Sequence, residues 1–290
     1  MRLCRFDENR LGVIYGEEVA DVSAIAERLA AFRYPLPQFD PFIAQFDTLR
    51  PEIESIAKTA KRHALSRVRL LSPVANPGKI VAAPVNYQKH LDEARADSEI
   101  HNNSQVAVIE KAGLFLKATS SVVGPHEGVT ISHPDRRNDH EVELVAVVGK
   151  VARNVAEKDA LGCIAGYCIG LDMSMRGTED RSFRKSVDSF TVLGPWLSTP
   201  DECRDVGNLH LSLDVNGEKR QSANTRDLVF SVARLIAYAS SIYTLHPGDI
   251  IMTGTPEGVG PVKDGDVMTA FVENIGTMQV GVRARRPPHA

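Results

Sequence analysis

The chain has 290 residues, 43% hydrophobic and 24% charged, with a formal net charge of −3. That length allows one large domain, or a large one plus a small one, around a sizeable core. The slight acidic excess argues against a nucleic-acid partner, and the lack of any bilayer-length apolar run or apolar signal core argues against membrane insertion and secretion, so a cytoplasmic location is expected.

In chain order, residues 11–20 read as two short strands around a tight turn. Residues 24–32 and 53–65 carry helical patterning, separated by the turn Tyr34-Pro35-Leu36-Pro37. No cluster of catalytic residue types falls in residues 1–72, which are expected to form a small N-terminal accessory domain. A Pro/Gly-containing link from Ser72 to Gly78 leads into a catalytic domain over 73–290. There, 79–84 reads as a strand, 88–96 as a helix, 97–105 as a mobile polar loop and 113–117 as another strand. Alternation over 209–215 followed by Asn216-Gly217 signals a hairpin. Helical spacing over 229–243 precedes a strand over 249–256 that ends in a Gly/Pro turn. The expected class is α+β, mainly β. Cys4, Cys163, Cys168 and Cys203 show no C-x-x-C spacing, which fits free thiols in a reducing compartment.

The acids at spacing two, Glu141 and Glu143, are the most informative residues. They precede the apolar run from Leu144 to Gly149, which reads as a strand buried on both faces. On a strand they project the same way. Two carboxylates held together near a core must take up a proton, meet a cation or bind a metal. Asp172 ends a second apolar run and offers a third oxygen. Three carboxylates without a nearby cysteine suit a hard divalent ion: Mg²⁺, or alternatively Mn²⁺ or Ca²⁺. The bland alternative is a half-exposed strand with glutamates toward water.

Lys117, Arg176 and Lys185 are the cations able to balance such a cluster. His90 and Glu93, three apart on a helix, share a face, and a carboxylate so placed orients an imidazole as a general base. An exposed, inert His–Glu pair is the ordinary reading of that spacing. The turn Thr253-Gly254-Thr255-Pro256 offers hydroxyls and N–H groups to a substrate carboxylate.

These pieces fall into ordered blocks: Asn86-Tyr87-Gln88-Lys89-His90, Phe115-Leu116-Lys117, Asp139-His140-Glu141-Val142-Glu143-Leu144, Gly170-Leu171-Asp172-Met173-Ser174-Met175-Arg176, Lys185-Ser186, Leu193-Gly194-Pro195-Trp196, and Pro247 through Gly260. Together they resemble the fumarylacetoacetate hydrolase family over about residues 79–283. The resemblance implies a mixed β-sandwich roll in a homodimer, with Mg²⁺ or a similar ion on Glu141, Glu143 and Asp172. It also implies Lys185 near the substrate, Thr255 close to the site, and His90 and Glu93 in a lid. Three departures lie near the expected pocket: Gly177 where the family often has Asp, Ala118 where it often has Pro, and Ala82-Ala83-Pro84-Val85 before Asn86.

The expected function is metal-dependent hydrolysis of a C–C bond in a 2-oxo or 1,3-dicarbonyl carboxylic acid, of acylpyruvate or fumarylpyruvate type, in aromatic catabolism. His90, Glu93 and Lys185 are the expected catalytic residues, and Lys117, Arg176 and Thr255 the expected substrate contacts. The alternatives are decarboxylase, isomerase or tautomerase, or hydratase action on related 2-oxo acids, and a non-catalytic metal-binding protein of the same fold.

Overall fold

The computed structural model describes residues 1–97, 100 and 108–285. At its centre lies the Val142–Val148 strand, buried at all seven positions. An apolar, β-branched run with no polar alternation suits a strand covered on both faces. This strand pairs antiparallel with Ile164–Asp172 on one side and Ile250–Met252 on the other. Ile250–Met252 runs parallel to Ile80–Ala82, so the sheet is mixed. In the other direction Ile164–Asp172 pairs with Thr191–Ser198, which pairs with the N-terminal strand Arg2–Phe6. The twelve-stranded sheet therefore continues across residue 72.

The two faces of the central strand meet different partners. Leu144, Ala146 and Val148 join a core with Leu211, Leu213, Met268 and Ala270 of a second, five-stranded sheet. Val145 and Val147 join a separate cluster with Ile43, Phe46 and Ile53 of the helix Pro41–Thr59. Sheet packed on sheet with helices outside is the expected α+β, mainly β roll.

Several local expectations need adjustment. The helix expected over 53–65 starts much earlier, at Pro41, and ends at Thr59. Asp40 caps it by accepting from the Phe42 and Ile43 N–H groups at 3.0 and 3.1 Å. Beyond it Arg62–Ala64 is a strand, paired with Glu18–Asp21. Sheet-edge pairing overrides the local helical pattern there. Residues 24–32 hold a short 3-10 turn, Ser23–Arg28. The His210–Val215 hairpin is as expected, with Asn216 and Gly217 at φ 52° and 81°. The helix expected over 229–243 is Val232–Ile242, capped by Ser231. Of the polar loop expected over 97–105, only Asp97 and Ile100 lie among the described residues. Among the described residues no helix is long and apolar enough to cross a membrane.

Candidate metal centre

Antiparallel pairing assembles the acidic cluster. Glu141 lies between the strands Asn138–His140 and Val142–Val148, and Asp172 is the last residue of Ile164–Asp172. The register sets Glu143 opposite Gly170, and the Asp172 N–H donates to the Glu141 carbonyl at 2.9 Å. All three carboxylates thus meet at one end of the sheet. One oxygen from each lies within 4.8 Å of the others, and all three side chains are buried.

Cations surround them. Lys185 Nζ donates to Glu141 Oε2 at 2.7 Å and to Asp172 Oδ2 at 2.8 Å. Lys117 Nζ pairs with Asp172 Oδ1 and donates to the Phe190 carbonyl at 2.8 Å. Arg176 bridges Glu141 Oε1 at 2.9 Å and Asp139 Oδ2 at 2.8 Å. Burial alone would raise the Glu141 pKa, but Lys185 and Arg176 hold it well below the usual carboxylate range. Glu143 is the odd one out. Among the described residues it makes no salt bridge, and its hydrogen bond is from the Gly254 N–H to Oε2 at 2.7 Å. Burial, then the nearby Asp172 charge, raises its pKa. Gly254 sits at φ 97°, and a Cβ there would crowd the Asn86 Cβ at 2.7 Å, so glycine alone allows this approach. An uncompensated buried carboxylate facing two others, all hard oxygen donors, fits a divalent cation.

The second constellation lies beside it. His90 and Glu93 stand on the helix Gln88–Ala96, and His90 Nδ1 lies 2.9 Å from Glu93 Oε2. The Gly258 N–H fixes the other Glu93 oxygen at 2.8 Å. His90 is buried and within the electrostatic reach of Glu141. Asn86, fully buried, anchors the start of this segment. It donates to the Phe230 and Thr253 carbonyls at 2.9 and 2.8 Å and accepts from the Phe230 N–H at 2.7 Å.

Of the nine residues singled out in the sequence, Glu141, Asp172 and the three cations form one hydrogen-bonded cluster, with Glu143 facing it and His90–Glu93 alongside. Thr255 is buried nearby, its Oγ1 accepting from Gln221 Nε2 at 2.7 Å. Gln221 also accepts from the Val142 N–H at 3.0 Å, tying Thr255 to the acidic strand. Sequence reasoning missed Gln221, Asp139 and Ser174, whose hydroxyl donates to Glu141 Oε1 at 2.8 Å. Asp139 repeats the spacing of two before Glu141, which is a usable signal. Gln221 lies 79 positions from Val142 and gives none.

The chain is also similar to known proteins along most of its length. Residues 79–283 match the family model for the fumarylacetoacetate (FAA) hydrolase C-terminal region. A maleylpyruvate hydrolase of Aquipseudomonas alcaligenes is 58% identical over 98% of this chain and 100% of its own. A 2,4-didehydro-3-deoxy-L-rhamnonate hydrolase of Sphingomonas sp. (strain SKA58) is 39% identical over 71% of this chain and 74% of its own. The solved structure of maleylpyruvate hydrolase from Sphingobium sp. SYK-6, in complex with manganese(II) ion and pyruvate, is 41% identical. It superposes with a TM-score of 0.84 over 99% of this chain and 100% of that one.

Proposed function

The chain belongs to the fumarylacetoacetate hydrolase family, and on that ground we propose that it is a divalent-metal-dependent hydrolase that splits acylpyruvates of the maleylpyruvate type into a carboxylic acid and pyruvate. The observation that carries this reading is the buried convergence of Glu141, Glu143 and Asp172 beside Lys185 and the His90–Glu93 pair. Mg²⁺ or Mn²⁺ suits the three ligands. When bound, the ion supplies Lewis-acid polarisation of the substrate carbonyls.

The chain's own residues do the rest. Lys185 sets positive charge beside the oxygen on which negative charge develops. Lys117 and Arg176 keep donors beyond those given to the acids, and Thr255 keeps its hydroxyl proton, so each can still meet a substrate oxygen. With Nδ1 held by Glu93, His90 Nε2 takes a proton from water. The resulting hydroxide adds to the acyl carbonyl. The bond from that carbon to the pyruvate methylene then breaks, its electron pair stays on the pyruvate fragment, and that fragment takes up a proton.

In this reading residues 1–72 are an accessory unit, since every residue given a chemical role lies within 73–290. The enzyme acts in aromatic catabolism as a cytoplasmic homodimer, a view supported by the family resemblance and the free cysteines. The test is release of pyruvate from acylpyruvates by protein stripped with EDTA and then reloaded with Mg²⁺ or Mn²⁺. Cleavage is expected only after reloading. Full activity without metal, or no cleavage of any acylpyruvate by the loaded protein, would overturn the reading.

A further inference from the structure

The loop and short helix that follow Asp172 are rich in cations, and nearly all are committed. Arg176 holds Asp139 and Glu141, and Lys185 holds Glu141 and Asp172. Arg184 donates to the Glu179 and Met175 carbonyls at 2.9 and 3.2 Å. Arg136, from a neighbouring loop, pairs with Glu179 at 2.8 Å. Arg181 is different. It is half-buried, and among the described residues it has neither a hydrogen bond nor an ion pair. Its guanidinium carbon lies 5.6 Å from the centre of the buried Phe115 ring.

The same ring carries Lys185 Nζ at 5.8 Å. Arg181 and Lys185 are four apart on the helix Arg181–Lys185 and so share a face. One cation on this ring is tied to Glu141 and Asp172, and the other stands beside it with no acceptor among the described residues. Burial lowers the Arg181 pKa, and the Glu141 and Asp172 carboxylates oppose that effect. Arginine stays charged regardless. A partly desolvated guanidinium with no protein acceptor among the described residues is suited to a planar anion from outside the chain.

We propose that Arg181 receives a second carboxylate of the substrate, the one at the far end of the acyl arm, and thereby selects diacid acylpyruvates over monoacid ones. This rests on the reading of the site as an acylpyruvate hydrolase. A further carboxylate brought near three acids would otherwise be repelled, and a two-pronged guanidinium contact answers that repulsion.

The test is a ligand pair that shares the 2-oxo acid head and differs in the terminal carboxylate: 2-oxoglutarate and 2-oxobutyrate. Neither is a 1,3-dicarbonyl, so binding is read without turnover, by calorimetry on manganese-loaded protein. The native protein is expected to prefer 2-oxoglutarate on the order of tenfold or more. Arg181→Gln should erase that preference, with 2-oxobutyrate affinity and metal content held within about twofold. Arg181→Lys should recover part of it, since charge remains but the fork geometry does not. In turnover, Arg181→Gln should lower kcat/KM about 10²-fold for a diacid acylpyruvate, chiefly through KM, and under about threefold for acetylpyruvate. No preference in the native protein, an intact preference in Arg181→Gln, or equal losses for both ligands would overturn the assignment. Loss of the preference in a protein that cleaves no acylpyruvate would sink the hydrolase reading and leave Arg181 in place.

Discussion

Glu143 and His90 allow two demands of the proposed mechanism, holding the ion and moving the proton, to be tested apart. Glu143 is buried against two other acids and lacks a basic partner among the described residues, which suits it to a cation from outside the chain. Glu143→Ala should lower metal content measured after dialysis, with affinity down by on the order of 10² or more. Normal occupancy in that variant would remove Glu143 from the ligand set. His90→Ala should keep its metal while kcat falls about 10²-fold, the scale of a lost general base. Unchanged turnover would exclude His90 from that role. The clustering of both sets was legible because backbone periods are fixed: acids two apart on extended chain project the same way, and a histidine and glutamate three apart share a helix face. Ser174 and Gln221 were not legible, because their value comes from contacts that only the folded chain creates.

The loop between Asp172 and the helix Arg181–Lys185 explains a departure from the family pattern. A Cβ at Gly177 would collide with the Arg136 guanidinium and the Glu179 carboxylate. Those two groups pair at 2.8 and 2.9 Å, and Arg136 also donates to the Arg176 carbonyl at 2.6 and 3.1 Å. The missing side chain makes room for a clamp that holds the loop carrying Arg176. Gly177→Ala displaces side-chain ends and no backbone, so it should lower Tm by about 2–4 °C with metal content unchanged. A Tm above that of the native protein would count against the clamp, since the reduced freedom of the unfolded chain would then outweigh its loss. Other elements depart from their local pattern for a related reason. Residues 62–64 look helical locally yet lie in a strand, because the open edge of Glu18–Asp21 needs partners for its backbone groups. The start of Pro41–Thr59 was written in its Asp-Pro cap but obscured by Pro51 inside it.

Over the whole molecule, the N-terminal region and the metal centre share one sheet face. Val145 and Val147, on the Glu143 side of the central strand, pack with Ile43, Phe46 and Ile53 as well as with Leu193, Leu197, Ile250 and Met252. Deleting residues 1–72 uncovers that apolar face and frees the Thr191–Ser198 strand from its N-terminal neighbour. The shortened chain should be recovered mainly as aggregate, judged by soluble yield and gel filtration. A monodisperse, metal-loaded product would show that 73–290 folds alone. The sheet sandwich itself was readable from apolar runs and hairpin signals, whereas the route of the sheet through residue 72 depends on pairing between strands distant in sequence. Glu143 and Asp172 stand in strands buried along their whole length, while His90 and Arg181 ride on short helices outside the sheets. Substitutions confined to those outlying turns are therefore expected to change what the pocket accepts while the buried acids keep their places.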